Sequence, residues 1–333
     1  MIITKTPFRM SFFGGGTDIE EYFKDNGGAV ISTTFDKYCY VTVRHLPRFF
    51  EYSSELSYSQ IERVQEVDEI QHPAIRNAMQ MLDMQEIRLT YEADLPARSG
   101  LGTSSSFAVG MLNAFYALKG KYVDKQRLAK ESIYLERVLC NEEGGWQDQV
   151  AAAYGGFNRI NFTSEGFEVV PLVISLERKK LLNNNLMMFF TGFTRFSSEI
   201  QKINNISSVE KVRNMKEMYG LVNEAEKVIL SENTDLREFG KLLDYTWKMK
   251  RNMGNKISTE YLDKVYKTAI DAGAIGGKLL GAGGGGFFVF YVEPDYQQSV
   301  KSALSNLLYI PFEFENGGTR VVYYNAEGYN LKK

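Results

Sequence analysis

Two cysteines and two histidines among 333 residues leave little room for several kinds of chemistry. Cys39 and Cys140 cannot make a disulfide framework, and His45 and His72 are too few and too separated for a metal site or a histidine-based nucleophile triad. Both histidines are expected to be structural. No apolar run approaches a membrane span, and the opening MIITKTPFRMSFFGGG lacks the long uninterrupted apolar region of a secretory leader. A formal net charge of −2 provides no broad basic surface, so general nucleic-acid binding has little electrostatic support, although local basic pockets remain open. The setting these absences imply is reduced and cytoplasmic. Two nucleotide-binding signatures are missing as well: no Gly-Lys pair is followed by Ser or Thr at the spacing of a phosphate loop, and GLGTSS lacks the third glycine of G-x-G-x-x-G. With no repeated βαβ pattern either, a dinucleotide-dependent oxidoreductase fails at this level.

What is present suffices for a large core: 44% of the residues are hydrophobic and 24% charged, and the length favours two domains. The stretch 30–45, VISTTFDKYCYVTVRH, alternates β-branched and aromatic residues and reads as one long strand or a hairpin. IRLTYEADL (87–95) reads as a strand ended by Pro96. After a loop, 106–118 is apolar nearly all round, as in a helix buried between layers. A further helix is expected over about 125–140, with Leu128, Leu135 and Leu139 on one face, and NEEGG stops it. Beyond about residue 175 the texture changes. LMMFFTGF reads as a strand, helices are expected over about 197–231, 235–253 and 258–272, and the chain closes with AIGGKLLGAGGGGFFVFYV, a helix, and the strand-like YIPFEF and TRVVYY. This order suggests an α+β architecture with a ligand cleft between domains 1–175 and 176–333.

Three glycine-rich stretches punctuate this plan. TPFRMSFFGGGTD (6–18) places three glycines between an arginine and an aspartate, which alone reads equally as a tight turn. SGLGTSSSFAVG (99–110) sets two glycines and four hydroxyls before the buried helix, where unpaired amides and the helix dipole attract anions, or where the residues merely cap the helix. GGKLLGAGGGGFFVF (276–290) carries four successive glycines, an entropic cost a chain tolerates where a ligand or another backbone must approach closely, or in a linker-like turn.

Together and in this order, the stretches resemble the three motifs of the GHMP kinases, the family named for galactokinase, homoserine kinase, mevalonate kinase and phosphomevalonate kinase. PARSGLGTSSS is similar to the family's P-x-x-x-G-L-G-S-S-A signature, and the resemblance covers essentially the whole chain. It implies a fold with a ribosomal protein S5 domain 2-like N-terminal domain and a ferredoxin-like C-terminal domain. It further implies ATP and Mg²⁺, with Gly100, Leu101, Gly102, Thr103, Ser104 and Ser105 at the phosphates, Ser104 and Glu136 sharing the metal, Asp148 as catalytic base and Arg9 as its cation. Gly15, Gly16, Thr17 and Asp18 are implied on the substrate side, and Gly281, Gly283, Gly284 and Gly285 in the third motif. Arg195 and Arg98 are candidates for a sugar phosphate. FRMSFFGGGTD, GGAVISTTFDKYCYV and GGWQDQVAAAYGGFNRINF are most similar to the branch acting on D-glycero-D-manno-heptose 7-phosphate, which implies a small sugar or sugar phosphate as partner and phosphorylation at C1. Kinases of fucose or of unphosphorylated heptose stay open, as does a non-catalytic sensor of the same fold; oligomeric state is not legible.

Overall fold

A computed structural model of the chain describes residues 1–192, 209–254 and 257–325. The N-terminal half is built on one large sheet. Strand β1 (Ile2–Phe13) pairs antiparallel along its length with β2 (Gly28–His45), after a turn and the short helix α1 (Glu20–Asn26). The alternating stretch is therefore one strand of 18 residues and not a hairpin. It stays continuous by changing partners on its other edge, pairing with β6 (Phe157–Thr163) through Gly28–Thr33 and with β5 (Ile87–Ala93) through Cys39–His45. The small hairpin of β3 (Ser54–Ser57) and β4 (Ile61–Val64) extends the sheet beyond β5, and β7 (Gly166–Pro171) extends it beyond β6.

A register slip between Pro7 and Phe8 decides what β1 shows to each side. Pro7 has no N–H to give the ladder, and the pairing passes there from Tyr38 to Phe35, skipping Asp36 and Lys37 of β2. Before the slip, Thr4 donates to the Gly110 carbonyl at 2.9 Å, on the helix α3 (Thr103–Leu118). After it, Phe8, Met10 and Phe12 enter the core shared with the C-terminal half, while Arg9 and Ser11 emerge in a cleft at the start of α3. The helix itself is buried on almost every side, from Thr103 to Tyr116 with Ser104 as the exception, as its continuous apolar sequence requires. It packs among α2 (Pro73–Met81), α4 (Lys125–Ile133) and α5 (Gln147–Tyr154).

The expected helix over 125–140 is regular only to Ile133. Tyr134–Leu139 then form a wider π-helical turn, a feature that turns side chains away from the α-helical register. After α6 (Leu176–Asn184), the C-terminal half forms a four-stranded antiparallel sheet from β8 (Leu186–Phe190), β9 (Gly276–Leu279), β10 (Phe287–Tyr291) and β11 (Leu308–Ile310), in the spatial order β11-β8-β10-β9. Among the described residues, three helices, α7 (Val209–Leu230), α8 (Arg237–Asn252) and α9 (Glu260–Asp271), lie between the first two strands, and α10 (Pro294–Ala303) connects the last two. In its own order the sheet reads fourth, first, third, second, which is the ferredoxin-like arrangement. The expected helix from about 197 enters the description only at Val209.

The closing strands do not follow the sequence division at 175/176. Phe314–Glu315 pairs with β2, and Arg320–Tyr324 pairs with β1, so the chain returns to cover an edge of the first sheet that would otherwise present unpaired backbone groups. The two halves also share a core: Phe239 of α8 meets Phe12 and Phe13 edge to face, at ring centroid distances of 5.3 and 5.2 Å.

Candidate active site

The cleft lies where the three glycine stretches meet. Gly100 and Gly281 touch backbone to backbone: a Cβ on Gly281 would stand 2.4 Å from the Gly100 Cα, and one on Gly100 would stand 2.4 Å from the Leu280 carbonyl oxygen. Both also hold a positive φ, of 82° and 79°. Only glycine satisfies the contact and the dihedral together.

Helix α3 starts at this junction. Its N-cap is Gly102 in the left-handed region, and no side chain caps the first turn. The amides of the first turn therefore have no intrahelical acceptor and form a natural seat for an anion. Thr103, Ser104 and Ser105 line the cleft, with Ser104 exposed to it. Leu101 does not reach the cleft; its side chain is buried in the shared core, and its carbonyl accepts from the Arg9 amide at 3.2 Å.

Glu136 is 1% exposed, directed inward by the π-helical turn that carries it. Ser104 Oγ donates to Oε1 at 3.0 Å, Ser105 Oγ donates to Oε2 at 2.7 Å, and Gln149 Nε2 donates to the same Oε2. Arg137, its neighbour, also lines the cleft and ties down the following loop through the carbonyls of Glu142, Glu143 and Gly145. The donors at Glu136 are oxygens with a single carboxylate. Such a set suits a hard cation that fills its remaining positions with water and phosphate oxygens, so these residues fit Mg²⁺. Glu142, in the same loop, is raised above the ordinary carboxylate range by burial and then by the charge of Glu136.

Asp148 sits in the first turn of α5, beside Gln149. Arg9 grips its carboxylate with both arms, Nε to Oδ1 at 2.7 Å and Nη2 to Oδ2 at 2.8 Å, and spends Nη1 on the Gly100 carbonyl at 2.6 Å. Gly102 closes over this pair: a Cβ there would lie 3.3 Å from both Arg9 Cγ and Asp148 Oδ2. The acid is thus ionically paired at the mouth of the helix, yet 24% of its side chain is open to the cleft.

The first motif supplies the opposite wall. Gly15 and Gly16 line it, and Asp18 is 2% exposed, accepting from the Gly16 amide at 2.9 Å and the Gln147 amide at 3.3 Å. Burial raises the affinity of Asp18 for its proton, the Asp148 charge adds to that, and the amide hydrogen bonds oppose it. Gly145 leaves room for this carboxylate, since a Cβ there would stand 1.9 Å from Asp18 Oδ2. Thr17 faces elsewhere, its hydroxyl bonded to the carbonyls of Gly14 and Ala29 at 2.8 and 2.9 Å, so it holds the turn. Gly281, Gly283 and Gly285 line the cleft from the third motif, whereas Gly284 turns its amide to the Ile257 carbonyl. Arg98 lines the cleft beside Thr103, and Arg195 lies outside the described residues.

Comparison with known proteins follows the same lines. The GHMP kinases N terminal domain matches residues 69–156 and the GHMP kinases C terminal matches 225–310. A D-glycero-alpha-D-manno-heptose 7-phosphate kinase of Campylobacter jejuni is 30% identical over 91% of this chain and 93% of its own. The chain is a GHMP kinase. It is therefore an ATP-dependent phosphotransferase with a hydroxyl acceptor, in the α+β two-domain fold of that family. An L-fucokinase/L-fucose-1-P guanylyltransferase of Bacteroides fragilis is 26% identical over 89% of this kinase, which spans 35% of that longer protein. In structure, this kinase matches a D-glycero-D-manno-heptose 1-phosphate kinase of Bacteroides thetaiotaomicron with a TM-score of 0.79, covering 98% of this chain and 100% of that one at 23% identity. Among the described residues, no helix is long and apolar enough to cross a membrane.

Several cleft groups carried no functional signal in the sequence. Lys278 stands inside the third motif, where the glycines draw the eye, and Lys250 ends an amphipathic helix like any surface lysine; both line this kinase's cleft. Ser11 is 5% exposed there, with a hydroxyl that has no partner. Gln149 has an ordinary core position on α5 until its bond to Glu136 is seen.

Proposed function

We propose that this kinase transfers the γ-phosphoryl group of ATP to the C1 hydroxyl of D-glycero-D-manno-heptose 7-phosphate, giving the 1,7-bisphosphate on the way to nucleotide-activated heptose. The observation that carries the chemistry is the Arg9–Asp148 pair, which is bonded to the Gly100 carbonyl and packed against Gly102 at the start of α3. The heptose assignment is supported by the name of the 30% identical relative and by Gly14-Gly15-Gly16-Thr17-Asp18 in the first motif.

In this reading the α3 amides and the two adjoining glycine turns hold the triphosphate, and Ser104 and Glu136 hold Mg²⁺. That ion, when bound, neutralises phosphate charge and fixes the phosphate oxygens. Asp18 accepts hydrogen bonds from acceptor hydroxyls and turns C1 toward Asp148. As the acceptor oxygen bonds to phosphorus, the bond from phosphorus to the bridging oxygen breaks, ADP leaves with that electron pair, and the acceptor proton passes to the Asp148 carboxylate. An anomeric hydroxyl is more acidic than an ordinary alcohol, which suits a base held ionised by arginine. Arg9 keeps its charge throughout and faces the negative charge in transfer.

The test is an ADP-release assay across heptose 7-phosphate, unphosphorylated heptose, fucose and galactose. Heptose 7-phosphate is expected to give the highest kcat/KM by at least tenfold, with product phosphorylated at C1. Preference for fucose or the unphosphorylated heptose would overturn the substrate, and the Bacteroides fragilis relative makes fucose the second reading. Retention of Arg9, Ser104, Glu136 and Asp148 argues against a non-catalytic sensor.

A further inference from the structure

Two lysines in the cleft remain without a task. Lys278, on β9, is 3% exposed, and its Nζ donates to the Phe12 carbonyl at 2.8 Å. That carbonyl belongs to the second register slip of β1, between Ser11 and Phe13. Lys250, at the end of α8, donates to the Gly281 carbonyl. With Arg9 on the Gly100 carbonyl, each of three cations is moored to the backbone of a different glycine motif. None of these moorings uses up a lysine's donors, since an ammonium has three and each lysine spends one.

Asp18, Glu136 and Asp148 line the cleft with these three cations, but they are not paired evenly with them. Asp148 is matched by Arg9, yet among the described residues neither lysine forms an ion pair with a carboxylate. Burial, then the charges of neighbouring cations, lowers both: Lys250 is pulled down to about 8 and Lys278 well below the usual lysine range. Asp18 is the carboxylate whose charge opposes this at Lys250. A cation held in this cleft without a paired carboxylate is stabilised by an anion that arrives to meet it. The cleft opens onto both lysines, and the junction of Gly100 and Gly281 lies between Arg9 and Lys250.

We propose that Lys250 and Lys278 form, with Arg9, a three-cation seat that binds the phosphoryl group during its transfer from ATP to the acceptor. The proposal rests on the kinase reading of the cleft but not on the identity of the sugar. The seat would meet the charge on the transferring oxygens together with the α3 amides, and Glu136 would hold the metal that neutralises the rest. Breaking and forming bonds and the proton's destination are those given above; the lysines contribute charge alone.

The experiment uses the full chain with Lys250→Met and Lys278→Met, and with the arginine variant at each position to retain the charge if methionine disturbs folding. Three quantities are read: kcat, the affinity for a non-hydrolysable ATP analogue with Mg²⁺, and the affinity for MgADP with aluminium fluoride, which mimics the group in flight and needs no sugar. The methionine variants are expected to lose about 100-fold or more in kcat and to lose binding of the aluminium fluoride complex, while the ATP analogue binds within about threefold of wild type. The arginine variants should recover part of both. Equal losses for the analogue and the aluminium fluoride complex, or unchanged binding of the latter, would overturn the seat. So would a raised acceptor KM at unchanged kcat, which would place the lysines on the sugar. A wild-type enzyme inactive on heptose 7-phosphate that still binds MgADP with aluminium fluoride through these lysines would refute the substrate and keep the seat.

Discussion

Gln149→Leu tests whether α5 arranges two carboxylates at once. Asp148 reaches Arg9, and the next residue reaches back to Glu136, itself 1% exposed and held by three donors. Leucine matches the size of the glutamine and removes one hydrogen bond to a charged group, worth about 1.5–3 kcal/mol. It also removes Gln149 Oε1, a buried acceptor without a partner, whose relief returns about 1–3 kcal/mol. The two nearly cancel, so the melting temperature of the metal-free protein should move by only a few degrees, at roughly 2–4 °C per kcal/mol. The metal, however, needs Glu136 in one rotamer. Loss of such an orienting partner typically weakens metal affinity by about 10–100-fold. The assay is ADP release at fixed ATP with free Mg²⁺ varied, together with the thermal upshift given by MgADP. Half-activation should move to about tenfold higher free Mg²⁺ or beyond, with much of kcat recovered at saturation and a smaller MgADP upshift at low Mg²⁺. Half-activation within twofold of wild type would refute the reasoning, and so would a kcat collapse that Mg²⁺ does not rescue.

Three further outcomes are expected. Asp148→Asn keeps the size of the side chain but removes the proton acceptor and one of the two hydrogen bonds from Arg9, so kcat should fall by about 10²–10⁴-fold with ATP affinity little changed; isothermal titration beside turnover separates the two, and undiminished turnover would remove Asp148 from its role. Gly145→Ala puts a Cβ on Asp18 at a position whose backbone accepts alanine, so the acceptor KM should rise at least tenfold while the ATP KM stays within about threefold, and an unchanged acceptor KM would detach Asp18 from the sugar. In the pH profile of kcat/KM, the charged form of Lys250 is the active one; burial and then the charge of Arg9 lower its pKa, and Asp18 raises it. Activity should therefore fall as pH rises through about 8, and because Lys278 is lowered as well, the limb should move upward only when both lysines are replaced by arginine. On the acid side Asp18 loses its charge above the ordinary aspartate range, and Asp18→Asn should abolish that limb.

The sequence carried the site's backbone far better than its side-chain balance of charge. Gly100 and Gly102 were conspicuous as glycines before a helix start and Gly281 as part of the third glycine-rich stretch, and each occupies a contact or a dihedral that a side chain would spoil. Arg9 and Asp148 could be paired from the family likeness, though they are 139 residues apart and nothing local announces the bond. Thr17, Leu101 and Gly284 sit in the same motifs but spend their groups on the turn, the core and the Ile257 carbonyl. A motif written as a string does not distinguish residues that face a ligand from those that brace the ones that do. The π-helical turn at Glu136 was invisible for a related reason: apolar spacing at Leu128 and Leu135 reads as one helix, and the widened turn is set by tertiary contacts to α3 and α5. The return of Arg320–Tyr324 to β1 likewise depends on which edge lacks a partner, a property of the assembled sheet.

The two register slips of β1 tie these observations together. The first, at Pro7, sends Arg9 and Ser11 to the cleft and the phenylalanines to the shared core; the second, at Phe12, frees the carbonyl that holds Lys278. A strand without them would keep its ladder complete, but then alternate residues throughout would share the face of Thr4 and Thr6. Arg9 would turn from Asp148 toward the core, and Lys278 would lose its mooring. The catalytic arrangement thus depends on irregularities in the first strand as much as on the glycines that advertise it. Phe12 and Phe13 against Phe239 pack this irregular stretch from the other half of the molecule.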